Sequence, residues 1–282
     1  MVCFVRDLYQ VAPIHYVEYG EGKPVFNIHG WGPDQRMMIG AYEPVFEKTQ
    51  GYRRIYPDLP GFGQTPVPAW LKDSDDMLGA LCVFINTMIG RENFLLTGCS
   101  YGAYMALGLL HRMGERIDGV LLDVPMTSCK LTQGLIELPE RMVTWQSPLL
   151  DELNDSPALQ NYLGMAVTAL PEGFEKFEQQ IQPGLDARTL GMRSQGALGD
   201  YRVETEKAIS GLRFDKPACI LAGRQDHWTG YKMPYELLER FPRASFAVLD
   251  GAGHLLYIEK EPIFRQFVKD WLERVEMNLL TN

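Results

Sequence analysis

Asn93-Phe94-Leu95-Leu96-Thr97-Gly98-Cys99-Ser100-Tyr101-Gly102-Ala103-Tyr104-Met105-Ala106-Leu107-Gly108-Leu109-Leu110 changes period in its middle, and that change decides the fold. Asn93 to Thr97 reads as a short buried strand, whereas Ala103, Ala106, Leu107 and Leu110 recur at helical spacing. Between them stands Gly98-x-Ser100-x-Gly102, a G-x-S-x-G pattern at a strand-to-helix turn. A serine there is held in a strained conformation with its hydroxyl exposed, and the flanking glycines let neighbouring backbone approach closely. The stretch predicts a nucleophile elbow with Ser100 at its tip.

A serine hydroxyl is a poor nucleophile at neutral pH, so Ser100 needs a general base and a group that orients the base. The chain has five histidines: His15, His29, His111, His227 and His254. His254 is the candidate base, because Ser245 to Leu249 reads as a strand and Gly251-Ala252-Gly253-His254 as the turn leaving it. Ala218 to Ala222 is another apolar strand, and its exit loop Gly223-Arg224-Gln225-Asp226 carries the candidate acid. The three then follow as Ser100, Asp226 and His254, each just beyond a predicted strand. Asp123, which ends the strand Val120-Leu121-Leu122, competes with Asp226 for the acid's role. His227 reads as a neighbour of the site, His15 as a strand residue and His111 as a helix-end residue.

With these residues the chain resembles the α/β-hydrolase superfamily, from Val25 to about Pro125 and from Lys216 to about Glu276. His29-Gly30-Trp31-Gly32 is similar to the family's oxyanion loop, Asp58-Leu59-Pro60-Gly61-Phe62-Gly63 to its post-strand loop, and Gly251-Ala252-Gly253-His254 to its histidine loop. The resemblance implies that the backbone N–H groups of Trp31 and Tyr101 form an oxyanion hole, with His29 shaping the loop by hydrogen bonding. It also implies that the commoner place for the acid is that of Asp226. Cys99 departs from the pattern, since relatives more often carry a polar or acidic residue there.

Composition agrees with an enzyme of this kind. The 282 residues are 46% hydrophobic and 22% charged, enough to bury a substantial core. The start Met1-Val2-Cys3-Phe4-Val5-Arg6-Asp7 lacks a signal-peptide layout and no apolar run reaches membrane-spanning length, which predicts a soluble, cytoplasmic protein. Cys3, Cys82, Cys99, Cys129 and Cys219 sit mainly in apolar surroundings and read as reduced thiols, with no metal-ligand spacing to a histidine. A net charge of −9 without a basic block argues against nucleic acid or an anionic membrane as the main partner.

The expected architecture is α/β: a mainly parallel eight-stranded sheet covered by helices on both faces, with a helical cap insertion. Residues 1–125 and 212–282 form the core and 126–211 the cap. The insertion carries Pro139, Pro148, Pro157, Pro171 and Pro183, together with Trp145, Tyr162, Phe174, Phe177, Met142, Met165 and Met192 as apolar material that could cover a pocket. Taken singly, most of these aromatics and methionines read as the insertion's own core. The last helix shows the clearest stripe, Ile263, Phe264, Phe267, Val268, Trp271, Leu272 and Val275, after Pro262.

The expected activity is cleavage of an ester-like or other activated carbonyl bond in a small, largely apolar substrate, with no cofactor. Serine rather than aspartate at the elbow disfavours the dehalogenase and epoxide-hydrolase branches. One alternative is a proline-iminopeptidase-like aminopeptidase, in which Glu137, Glu140, Glu152 or Glu172 would bind a substrate amine, although a solvated helix face is the simpler reading of those residues. Another is a ligand-binding receptor or scaffold that keeps the fold and does not turn over.

Overall fold

The computed structural model describes residues 2–6, 11–128, 137–153, 155–187 and 209–281. The eight expected strands form one sheet: β1 (Val2–Arg6), β2 (Val11–Tyr19), β3 (Lys23–Ile28), β4 (Tyr52–Pro57), β5 (Phe94–Cys99), β6 (Ile117–Asp123), β9 (Ala218–Gly223) and β10 (Ala244–Leu249). Two short strands of the insertion, β7 (Trp145–Gln146) and β8 (Thr168–Ala169), pair separately with each other. Neither has a periodic pattern, so this small sheet is not legible in the sequence.

The strand order in the main sheet is β1-β2-β4-β3-β5-β6-β9-β10. Only β1 against β2 and β2 against β4 are antiparallel. All six residues of β5 are buried, as a strand covered on both faces requires. Phe94 and Leu96 face one core layer with Phe26, while Leu95 faces the other with Val25. Helices α2 (Ser74–Met88) and α3 (Tyr101–Met113) fill the first layer, and α1 (Gln35–Phe46) the second.

The insertion contributes α4 (Pro157–Met165), α5 (Pro171–Gln180) and α6 (Gln182–Ala187), and the C-terminal part α7 (Lys232–Glu236), α8 (Leu256–Glu259) and α9 (Glu261–Thr281). On α9, Phe264, Val268, Trp271, Leu272 and Val275 are buried, but Ile263 is 46% exposed and Phe267 only half-buried. The stripe is narrower than expected because Ile263 and Phe267, one step before Phe264 and Val268, turn to its flank. Among the described residues no helix is long and apolar enough to cross a membrane.

β4 lies on one side of β3 and β5 on the other, so the direction of winding reverses between β3 and β5. The loops that leave these two strands diverge there and open a crevice at their carboxyl ends. Gly30 and Trp31 follow β3, and Ser100 follows β5.

Candidate active site

Ser100 has φ 53° and ψ −116°, a left-handed conformation that costs a non-glycine residue about 1–3 kcal/mol. Its surroundings hold it there. Its N–H donates to Asp123 O at 3.0 Å, and its own carbonyl accepts from the N–H groups of Met126 at 3.2 Å and Ala103 at 3.0 Å. The flanking glycines are required by close approach: a Cβ on Gly102 would lie 2.2 Å from Ile28 O, and one on Gly98 2.5 Å from Gly102 O.

The fold brings Ser100, His254 and Asp226 together, although 154 positions separate the first two. His254 Nε2 lies 2.9 Å from Ser100 Oγ, and His254 Nδ1 lies 2.9 Å from Asp226 Oδ2. Asp226 is fully buried, and its carboxylate is saturated with donors. Oδ1 accepts from the N–H groups of Trp228 at 2.8 Å and Thr229 at 3.0 Å, while the Thr229 hydroxyl donates to Oδ2 at 2.7 Å. Burial, the largest single influence, would raise its pKa, but the attraction of His254 and these hydrogen bonds together hold it below the ordinary value. For His254, burial is again largest and pushes the pKa down, yet the Asp226 charge and hydrogen bond, aided by Asp123 and Glu259, leave it raised. An acceptor at Nδ1 fixes the neutral ring with its proton there, so Nε2 is free to take one from Ser100.

Asp123 is also buried, but it does not meet the histidine. One carboxylate oxygen has no hydrogen-bond partner and the group bonds the Cys99 thiol. Burial, with repulsion from Asp226 and against the attraction of His254, pushes its pKa up to about 7. Cys99 is buried too, and its thiol is pushed well above its usual range by burial and then by Asp123. Cys82, Cys99 and Cys219 are free thiols; Cys3 and Cys129 lie outside the residues whose side chains are described. His227 is half-buried beside Asp226 and bonds to none of the three groups, while His15 bonds Asp58 at 2.8 Å.

His29 determines how the loop after β3 is aimed. Leu59 N donates to His29 Nε2 at 2.9 Å, which leaves the ring proton on Nδ1 to donate to Gly30 O at 2.7 Å. Burial lowers the pKa of this ring, so it stays neutral. Because the Gly30–Trp31 peptide is planar and trans, pinning its carbonyl toward His29 points the Trp31 N–H the opposite way. Tyr101 is the first residue of α3, and its N–H belongs to the helix's positive end. Trp31 and Tyr101 stack edge to face at 5.1 Å, and both line one cavity with Ser100 and His254.

That cavity has a volume of about 690 Å³. The segment between β6 and β9 contributes Gln160, Asn161, Gly164 and Met165 of α4, with Ile181 and Leu185, to the cavity lining. Of the aromatics and methionines that could cover a pocket, Met165 lines it, and the others lie elsewhere or outside the described residues. Tyr162, Phe174 and Phe177 are packed inside the insertion, Trp145 and Met142 are exposed on its surface, and Met192 is outside the described residues. On this side of the cavity polar Gln160 and Asn161 therefore stand beside apolar Met165, Ile181 and Leu185. Among the described lining residues none is Asp, Glu, Lys or Arg. Glu137 and Glu140 line a separate cavity of about 430 Å³ with Arg224 and Lys232, and Glu152 and Glu172 are exposed to solvent. None of these glutamates is placed to bind a substrate amine beside Ser100. Among the described residues no group of three or more His, Cys, Asp or Glu side chains could hold a metal ion.

Two residues absent from the sequence reading belong to this site. Thr229 completes the shell around Asp226, and the Trp228 indole lies 5.0 Å from the His254 ring. The signal for them is Asp226-x-Trp228-Thr229: an aspartate commonly bonds the backbone N–H groups two and three residues on, in an Asx turn.

A family model described as the alpha/beta hydrolase fold matches residues 23–261. A pimeloyl-[acyl-carrier protein] methyl ester esterase of Legionella pneumophila (strain Corby) is 24% identical over 267 residues, 92% of this chain and 99% of that protein. A 2-hydroxymuconate semialdehyde hydrolase of Pseudomonas sp. (strain CF600) is 26% identical over 264 residues, 91% of this chain and 89% of the relative. Among solved structures, an alpha/beta superfamily hydrolase from Oenococcus oeni PSU-1 superimposes with a TM-score of 0.85 at 24% identity, covering 93% of this chain and 96% of the other.

Proposed function

Because the chain belongs to the α/β-hydrolase fold family, we propose that it is a serine hydrolase that cleaves the ester or similarly activated carbonyl bond of a small, uncharged, largely apolar substrate. The observation that carries this reading is the unbroken hydrogen-bonded line from Ser100 Oγ through His254 to Asp226 at the floor of a largely apolar cavity. The names of the relatives, esterases and hydrolases, support the reaction class.

In this reading Ser100 Oγ attacks the substrate carbonyl carbon while His254 Nε2 accepts the hydroxyl proton. The carbonyl π electrons move to oxygen, and the N–H groups of Trp31 and Tyr101 hold the resulting oxyanion. Asp226 keeps the imidazole in one tautomer and stabilises its charged form. Collapse of the intermediate expels the alcohol, which takes the proton back from His254 and leaves an acyl-Ser100 ester. Water, deprotonated by the same imidazole, then releases the acid and restores Ser100. Residues 126–211 act as the cap that limits what enters. The absence of charged side chains among the described lining residues favours neutral acyl groups over dicarboxylates, since a buried carboxylate without a partner is strongly penalised.

The test is a fluorophosphonate together with a panel of p-nitrophenyl esters. We expect stoichiometric phosphonylation of Ser100, located by mass spectrometry, with parallel loss of hydrolysis, and faster turnover of neutral acyl esters than of ones ending in a carboxylate. An adduct elsewhere with Ser100 unmodified, or a wild-type protein that turns over none of the esters, would reject the reading in favour of a binding protein.

The pH dependence follows from the raised His254 pKa. The ring must be neutral to accept a proton, so activity falls as pH drops through its pKa. The acid limb of kcat/KM should therefore have its midpoint above 6.5, the ordinary histidine value. A midpoint below it would mean that Asp226 is not paired with the ring in the free enzyme.

A further inference from the structure

We propose that Glu259 is a positioning residue that ties the His254 loop to the insertion roofing the cavity, setting the reach of His254 and the place of the roof together. The inference rests on the reading of His254 as general base. Glu259 ends α8, five positions after His254, and its carboxylate turns inward. Oε2 accepts from the N–H of Gly253, the residue before His254, at 2.6 Å. Oε1 accepts from the N–H groups of Val167 at 2.7 Å and Thr168 at 3.1 Å, where the insertion enters β8. A single carboxylate thus engages three backbone donors on two segments distant in sequence. The Thr168 hydroxyl adds a second link, donating to Gly251 O at 2.7 Å. The segments touch closely enough that a Cβ on Gly253 would lie 3.0 Å from Val167 Cγ1. Met165, two residues before Val167, lines the cavity, so the same link holds the roof.

Only a carboxylate suits three converging N–H groups, because it accepts at both oxygens and donates at neither. An amide of the same shape would turn its own N–H toward one of the donors. The charge acts at longer range. Groups that bear on His254 are Asp226 from the loop after β9, Asp123 from the end of β6, Glu259 from α8, and His227 beside Asp226; Asp226 and the Tyr162 hydroxyl bear on Glu259 itself. Glu259 is one of the negative charges that favour the imidazolium, so its removal moves the imidazole's titration to lower pH.

Two variants of the full-length enzyme separate span from charge. Glu259→Gln should lower kcat for a neutral p-nitrophenyl ester by about 10- to 100-fold, as expected when a reacting group is displaced by a fraction of an ångström, and should raise KM as the roof loses its tie. Its acid limb should also shift down. Glu259→Asp keeps the charge but is one methylene too short to reach both segments, so its acid limb should stay while kcat falls. Wild-type kcat in either variant overturns the proposal, and if the glutamine variant does not fold the aspartate variant decides alone. Titration of the His254 ring protons by NMR reads the charge effect without substrate. A His254 titration unmoved by Glu259→Gln overturns the proposal, whereas a wild-type protein inert to esters and fluorophosphonate overturns the functional reading instead.

Discussion

Ser100→Ala is expected to lower kcat by on the order of 10⁶, with stability and the affinity for a non-reactive substrate analogue nearly unchanged. The methyl group cannot attack, and His254 then has no proton to accept, so the remaining machinery only binds and polarises. A residual rate of roughly 10³ over the uncatalysed reaction should survive, because backbone N–H groups such as those of Trp31 and Tyr101 stabilise an oxyanion even when water is the attacker. The measurement is kcat on a neutral p-nitrophenyl ester, accompanied by a binding titration with the corresponding ether, which has no carbonyl for Ser100 to attack. A variant that retains a tenth of the wild-type kcat would transfer the nucleophile's role to another group.

The second large effect separates the two buried aspartates. Asp226→Asn should lower kcat by on the order of 10³ to 10⁴, since an amide can present N–H to His254 Nδ1 and so stabilise the tautomer that carries its proton on Nε2, facing Ser100. Asp123→Asn should leave kcat within about tenfold and act on stability instead. The Asp123 carboxyl titrates at about 7 in the folded protein because burial penalises its charged form, against an ordinary value of 3.8. Between these values the folded protein binds the extra proton, so stability is lost as pH rises from about 4 to about 7. The asparagine variant lacks that loss. Its melting temperature relative to wild type should be higher at pH 8 than at pH 4.5, by an amount corresponding to a few kcal/mol, roughly 1.4 per pKa unit. Thermal unfolding at the two pH values decides the stability arm, and a larger kcat loss in Asp123→Asn than in Asp226→Asn would exchange the two roles.

The unpartnered Asp123 oxygen is not isolated. The hydroxyls of Tyr42 and Tyr257 are buried nearby, and the Asp123 charge acts on both. The Asp123 carboxyl accepts from the Cys99 thiol and the Val124 N–H, while Asp226 has four donors fixed on it. That difference, rather than burial, distinguishes the two: both are under 3% exposed.

Much of the molecule is written in short-range pattern. The elbow is legible because strand and helix periods meet across five residues whose glycines have no other purpose than close backbone approach, at Ile28 O and Gly102 O. The central strands β5, β6 and β9 are legible because strands buried on both faces are nearly continuous apolar runs ended by turn residues. Ser100, Asp226 and His254 could be named from their positions just past such strands, in a parallel sheet whose carboxyl ends all open on one crevice. What lies over that crevice follows no such rule. Trp145 and Phe177 look alike in sequence as covering material, yet one is exposed and the other wholly buried. Polar Gln160 and Asn161 line the cavity instead. The hydrogen bond that joins Asp226 and not Asp123 to His254, the indole of Trp228 against His254, and the clamp from Glu259 to Val167 are visible only in the tertiary structure. These contacts join side chains and backbone across tens of residues, and their free energy depends on distance and burial after packing, which no local period encodes.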